Sequence, residues 1–190
     1  PIHGRHLSDN QSYVEYFRTG DGLAMCNMFN YEEKGRQNVQ GDIYETSEMT
    51  PGGPRFAMAD EVYACFHGDP NVITCTTYTY GRGFVAEHRR FAQAFLALPA
   101  TPGTLVPHPN SDVRVRTYPA GDGRVYVGVV HRGFQPATIT VTVPGVRKEA
   151  VVKDLVTGKT VASDFAGGSL SFTVQSDAMQ LNSFVVTPRR

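Results

Sequence analysis

Apolar positions along this chain keep two different rhythms, and the change falls near residue 100. Upstream, Leu23 to Phe29 is a continuous apolar or small run, the pattern of a buried strand. Phe56, Ala59, Tyr63 and Phe66 then recur at helical spacing, with Pro54 where a first helical residue is tolerated and Gly68-Asp69-Pro70 as a stop. Val72 to Tyr80 (VITCTTYTY) is rich in β-branched and aromatic residues and reads as a second strand. Phe84, His88, Phe91, Phe95 and Leu98 lie on one helical stripe, the clearest amphipathic signal in the chain. A short opening helix is also expected, because Ser8 and Gln11 have the spacing of a capping box and Gly20 and Gly22 end it.

Downstream the period becomes two. Val113 to Tyr118, Arg124 to Val130 and Ala137 to Val143 are strand runs, followed by Val151 to Leu155, Thr160 to Ala162, Ser169 to Val174 and Gln180 to Val186. Turn residues separate them: Gly121-Asp122-Gly123, Pro144-Gly145, Thr157-Gly158 and Gly167-Gly168. Short strands at close spacing with glycine turns predict an antiparallel β-sandwich.

The upstream order of helix, strand, helix, strand, helix is the grammar of a parallel sheet with crossover helices. Two such strands are too few, because a parallel sheet must be covered on both faces. The fold class expected is therefore α/β followed by all-β. Residues 1–98 read as the end of a larger α/β domain, 99–111 as a proline-rich linker and 112–190 as the sandwich.

Composition narrows the partners. Eighteen basic and eighteen acidic residues cancel, and no basic stripe suggests a nucleic-acid partner. No apolar run approaches the roughly 20 residues needed to span a bilayer. Cys26, Cys65 and Cys75 make neither a disulfide framework nor a Cys-x-x-Cys pair, so buried thiols are expected and neither a metal nor a cofactor is implied. The first residues, Pro1-Ile2-His3-Gly4, resemble neither an initiator start nor a leader peptide, and a processed chain or a piece of a longer one is expected.

The chemistry that stands out lies between the first strand and the second helix. Asn30 to Pro54 is a long polar connection carrying Glu32, Glu33, Asp42, Glu45 and Glu48. Connections of such length inside compact domains tend to be functional or disordered. Tyr78, Tyr80 and Arg82 stand at the end of the second strand. His88 falls on the apolar stripe and is expected in a core, while His67, His108 and His131 are scattered. Gly81-Arg82-Gly83 lacks the remainder of a phosphate-binding fingerprint.

Three stretches resemble the C-terminal end of barrel-type glycoside hydrolases. EHRRFAQAFLALPATPG (Glu87 to Gly103) is similar to a last barrel helix and its exit. GRVYVGVVHRGFQPATITVTVPG (Gly123 to Gly145) resembles a strand pair of the accessory sandwich in those enzymes. VVKDLVTGKTV (Val151 to Val161) with the later LNSFVV resembles its later hairpin and last strand. The resemblance covers most of the chain as a pattern of elements, and an agarase-like layout is among those it brings to mind.

What the resemblance implies is specific. Leu23 to Phe29 and Val72 to Tyr80 would be the seventh and eighth strands of a TIM-type (β/α) barrel, whose sites lie at the C-terminal ends of strands. Glu32 or Glu33 would then be the catalytic carboxylate, although the usual motif around a nucleophilic Glu is not recognisable in Asn30-Tyr31-Glu32-Glu33-Lys34. Asn30, Tyr31, Tyr78, Tyr80 and Arg82 would bind substrate. Glycoside hydrolysis uses two carboxyl groups, about 5–5.5 Å apart for retention and roughly 6.5–9.5 Å for inversion. The second would come from the missing N-terminal part of the barrel or from a partner chain. The substrate would be a poly- or oligosaccharide, and action on a polysaccharide would imply a secreted or periplasmic protein.

Blander readings stand beside these. The acidic connection is also what a solvated excursion looks like, with Lys34 neutralising one carboxylate. Tyr78 and Tyr80 also suit strand-end packing, and Arg82 a plain turn. A non-catalytic carbohydrate-binding or structural module and an unrelated α/β enzyme with an appended β domain are the alternatives.

Overall fold

A computed structural model describes residues 23–26, 58–70, 72–75, 85–147 and 149–189. They divide into two compact units, residues 1–89 and 90–190. Each is described by itself.

In the first unit, β1 (Leu23–Cys26) and β2 (Val72–Cys75) pair in parallel. Between them in sequence lies α1 (Ala59–His67), which rests against β1. A helix between two parallel strands is the crossover arrangement that the strand and helix periods predict. Helix α1 follows Met58 at its N-cap position, and Gly68 ends it by donating its N–H to the Ala64 carbonyl at 2.9 Å. Pro54, expected at a helix start, lies outside the described residues. The helix is buried on nearly every side: Ala59, Val62, Ala64 and Phe66 are at most 2% exposed, and Cys65 is buried and not in a disulfide. His67 stacks on Tyr63 and meets Phe66 edge-on, with centroids 5.8 and 5.0 Å away. The opening helix expected after Ser8 lies outside the described residues.

Helix α2 (Val85–Leu96) crosses the boundary between the units. Its stripe is narrower than the sequence predicts. Phe91 and Ala94 are buried and Phe91 stacks on Phe95, whereas His88 is only half-buried and not a core residue. Phe84 lies outside the described residues.

The second unit is antiparallel throughout. Its strands are β3 (Thr104–Val106), β4 (Val113–Pro119), β5 (Val125–His131), β6 (Ala137–Pro144), β7 (Ala150–Asp154), β8 (Thr160–Val161), β9 (Ser163–Ala166), β10 (Ser169–Ser176) and β11 (Gln180–Pro188). Six of them form a sheet ordered β3-β4-β5-β11-β7-β8, and three a sheet ordered β6-β10-β9. One hydrophobic cluster draws on both sheets, with Val113, Val115, Val127, Val129, Phe184 and Val186 from the larger and Ile139, Val141, Leu170, Phe172 and Val174 from the smaller. Phe172 and Phe184 meet edge to face with centroids 5.0 Å apart, the geometry favoured by ring quadrupoles.

Burial follows strand position. In β6 the sequence ATITVTV alternates, and so does burial, because one face meets the core and the other meets solvent. Strand β11 is buried from Gln180 to Val186 on both faces, as its unalternating LNSFVV run requires. The residues just after α2 lie on the outer face of the larger sheet: a Cβ built on Gly128 would sit 3.1 Å from Leu98 Cδ1, and one on Gly103 would strike the Tyr118 ring.

The span 99–111, expected as a bare linker, contains strand β3, which pairs with β4 through Thr104↔Thr117 and Val106↔Val115. Prolines on either side hid it, yet proline is tolerated at a sheet edge, where β3 lies. Strand β9 was also missed. Its Ser-Asp-Phe-Ala sequence has little strand preference, and it too is an edge.

Candidate functional site

In the first unit, register supplies the geometry. Leu23 pairs with Val72, Ala24 with Ile73, Met25 with Thr74 and Cys26 with Cys75. Because the strands are parallel and in step, their C-terminal ends lie at one edge of the sheet. The chain therefore leaves Cys26 and Cys75 from the same side. Asn30 is four residues beyond Cys26, and Tyr78 three beyond Cys75.

The candidates themselves, Asn30, Tyr31, Glu32, Glu33, Tyr78, Tyr80 and Arg82, lie outside the described residues. One carboxylate that the sequence reading passed over is Glu61, 1% exposed on α1. Its neighbours Tyr63 and Phe66 carry the helical signal.

The second unit has two differently built ends. At one end, His131 on β5 pairs with Val113 on β4 and Gln180 on β11, and the core is closed by polar side chains. Asn182 Nδ2 donates to Ser176 Oγ at 3.0 Å, and the Asp177 N–H donates to Gln180 Oε1 at 3.1 Å. His131 is 2% exposed and its Nδ1 lies 2.9 Å from the Asp177 carbonyl, so that nitrogen carries the proton and donates. Arg90 reaches the same end and donates to Asn182 Oδ1 at 3.3 Å. Every one of these groups secures the β10–β11 turn, in which Met179 adopts a positive φ of 49°. Hydrogen-bonded burial of this kind fixes the local structure.

The other end is open. There the β4–β5 turn, the β6–β7 connection and the end of β11 converge on a groove of about 560 Å³. Each segment contributes one arginine, namely Arg124, Arg147 and Arg189, and Val146 and Pro188 supply apolar wall. Arg124 is held in place. Its Nε donates to Asp122 Oδ2 at 2.7 Å, and its guanidinium lies 5.5 Å from the Tyr126 ring centroid. The Asp122 carboxyl is held below the usual aspartate value, first by the Arg124 backbone N–H and then by the guanidinium. No local sequence signal could have found this groove, because its arginines are far apart in the chain.

Among the described residues no group of three His, Cys, Asp or Glu side chains could hold a metal ion. No helix among them is long and apolar enough to cross a membrane. His108, scattered in sequence, is structural. Its Nδ1 accepts the Asn110 N–H at 3.1 Å, which leaves Nε2–H to donate to the Thr140 carbonyl at 3.2 Å.

No protein-family model matches the chain. No curated protein matches it either. Solved structures do. An α-amylase from Geobacillus thermoleovorans, complexed with acarbose, matches 97% of this chain and 43% of its own, at 11% identity and TM-score 0.54. A β-L-arabinopyranosidase of glycoside hydrolase family 27 from Geobacillus stearothermophilus, in complex with arabinose, matches 72% of this chain and 31% of its own, at 10% identity and TM-score 0.50. The chain thus spans less than half the length of either structure. At such identity the likeness is one of fold, and the chain is similar in fold to parts of glycoside hydrolases.

Proposed function

We propose that this chain is the C-terminal part of a barrel-type glycoside hydrolase that cleaves a poly- or oligosaccharide with two carboxyl groups. In this reading β1 and β2 are the last two barrel strands, and residues 112–190 with β3 form an accessory β-sandwich. The observation that carries it is the parallel, in-step pairing that ends with Cys26 opposite Cys75. Barrel enzymes assemble their sites from the segments that leave strand C-terminal ends. Two segments leaving one edge bring the Glu32-Glu33 pair and the Tyr78-Tyr80-Arg82 group within the reach of a single cleft.

Glu32 or Glu33 is the nucleophile or the ionised stabiliser in this cleft, and residues outside this chain supply the acid. Asn30, Tyr31, Tyr78, Tyr80 and Arg82 hold the sugar. Fold similarity to two glycoside hydrolases supports the class of reaction without choosing the sugar. An isosteric Glu→Gln change removes the negative charge that a nucleophile or an oxocarbenium stabiliser must carry while preserving shape. In the intact enzyme, either Glu32→Gln or Glu33→Gln abolishes turnover on a polysaccharide panel, with substrate binding and melting temperature nearly unchanged. Full activity in both variants would overturn the assignment.

A carbohydrate-binding module without catalysis is the second reading, favoured by the arginine-lined groove of the second unit. It predicts glycan retention by a protein whose Glu32→Gln and Glu33→Gln variants are indistinguishable from the parent.

A further inference from the structure

We infer that the groove at the open end of the second unit binds a carboxylated or sulfated saccharide, remote in sequence from the proposed catalytic segments. Three stretches of chain, around residues 124, 147 and 189, each place a guanidinium at one concavity. Among the described residues Asp122 is its single acidic lining residue, and its carboxylate is already engaged by Arg124. The lining therefore holds a formal surplus of two positive charges in a chain whose formal net charge is zero. Gathering like charges is unfavourable unless a counter-charge joins them.

The arginines are also available. Arg147 and Arg189 make no side-chain hydrogen bond or ion pair among the described residues, and both are exposed. Arg124 uses only its Nε, so its terminal nitrogens remain to donate. Its position is preset by Asp122 and by the Tyr126 ring, which reduces the ordering cost of binding. The backbone beneath is fixed as well: Arg189 N donates to the Glu149 carbonyl at 3.2 Å, and Ala150 N to the Arg147 carbonyl at 3.2 Å.

Guanidinium groups recognise planar carboxylates and tetrahedral sulfates through paired N–H donors. Val125, Val146 and Pro188 add apolar surface, which suits the carbon face of a ring better than a bare inorganic ion. The saccharide part of this assignment rests on the proposed glycoside hydrolase reading, whereas the anionic part rests on the groove alone. Uronate carboxylates and sulfate esters share the chemistry, and the experiment separates them.

The full chain is titrated calorimetrically with trigalacturonate, galactose 6-sulfate, neutral xylotriose and inorganic sulfate. At least one of the two acidic sugars binds, neutral xylotriose does not, and inorganic sulfate is at least ~10-fold weaker, a factor equivalent to about 1.4 kcal/mol. Affinity falls as salt rises from about 0.05 to 0.5 M, since exposed charges are screened over roughly a Debye length. Arg147→Ala and Arg189→Ala each weaken the acidic sugar about 10-fold at unchanged melting temperature, and Arg147→Lys weakens it less. Titration needs no turnover, so Glu32→Gln and Glu33→Gln leave this binding intact, and the two assignments fail independently. No binding by either acidic sugar, equal binding of xylotriose or inorganic sulfate, or full affinity in both alanine variants would overturn the inference.

Discussion

Leu98 Cδ1 lies 3.1 Å from where a Cβ on Gly128 would sit, closer than ordinary van der Waals contact. Leu98, two residues beyond α2, thus rests directly on backbone at the centre of the larger sheet, and a methyl at 128 would press against it. Gly128→Ala should cost about 1 kcal/mol, at the low end for overpacking because a leucine tip can move. The test is a double-mutant cycle with Leu98→Ala, followed by urea unfolding of the full chain. Leu98→Ala should make the methyl at 128 nearly harmless, giving a coupling of at least about 0.5 kcal/mol. Additive effects would mean that the two positions do not touch.

The Phe172–Phe184 contact joins the two sheets at the middle of their shared core. Phe184 is 4% exposed and Phe172 3%. Phe184→Ala should lower stability by about 3–5 kcal/mol, from lost burial and a residual cavity. Thr173→Ala, on the exposed face of β10, should stay within about 0.5 kcal/mol. Denaturant midpoints of the two variants check the contrast, and equal shifts would refute the account in which Phe184 lies in the shared core and Thr173 faces solvent.

These two cases also show why the second unit was legible in sequence. Apolar residues in ATITVTV recur with the period of the pleat, and glycines stand where the chain must turn, as at Gly123 with φ 84°. Seven strands predicted from that pattern occur close to the expected residues. The two missed strands, β3 and β9, are sheet edges, where neither alternation nor strand preference is needed. Their identity is set by pairing with β4 and β10, the strands that follow each of them in the chain. In the first unit the parallel pair was legible from its apolar runs, but the all-round burial of α1 was not. A stripe of Phe56, Ala59, Tyr63 and Phe66 implies one covered face, yet Glu61 is buried as well. Whether a helix is covered twice is decided by the rest of the protein. The arginine groove lay furthest from view, since only the registers of β5, β7 and β11 bring residues 124, 147 and 189 together.

Asp122 should titrate below the usual aspartate value of 3.8. Its largest cause is the backbone N–H of Arg124, with the guanidinium contributing after it. A depressed folded-state value means that the carboxylate favours the folded turn above about pH 3.8, and that this contribution fades as pH falls through the folded-state midpoint. Carbon-detected NMR titration of the Asp122 carboxyl measures it. Arg124→Ala removes the guanidinium and keeps the N–H, so the midpoint should rise only part of the way. A full return to 3.8 would make the side chain, and not the backbone, the main cause.

The last prediction concerns where the second unit begins. Reading 99–111 as a linker implies that residues 104–190 fold alone with nothing lost. The structure argues otherwise, because Leu98 covers Gly128, Tyr118 packs over Gly103, and Arg90 bonds Asn182. The outer face of the larger sheet carries Val130, Leu181 and Val185, each no more than 7% exposed, and it needs cover. Two fragments, 85–190 and 104–190, should be compared by calorimetry at equal concentration. Both should fold, since the core shared by the two sheets lies wholly downstream of residue 104. The shorter should melt lower by at least about 5 °C, because each kcal/mol lost shifts a domain of this size by roughly 4–8 °C. It should also bind more of a hydrophobic dye, through the uncovered face. Equal melting temperatures would show that α2 and its exit contribute nothing to this unit, and that the boundary belongs at residue 104 after all.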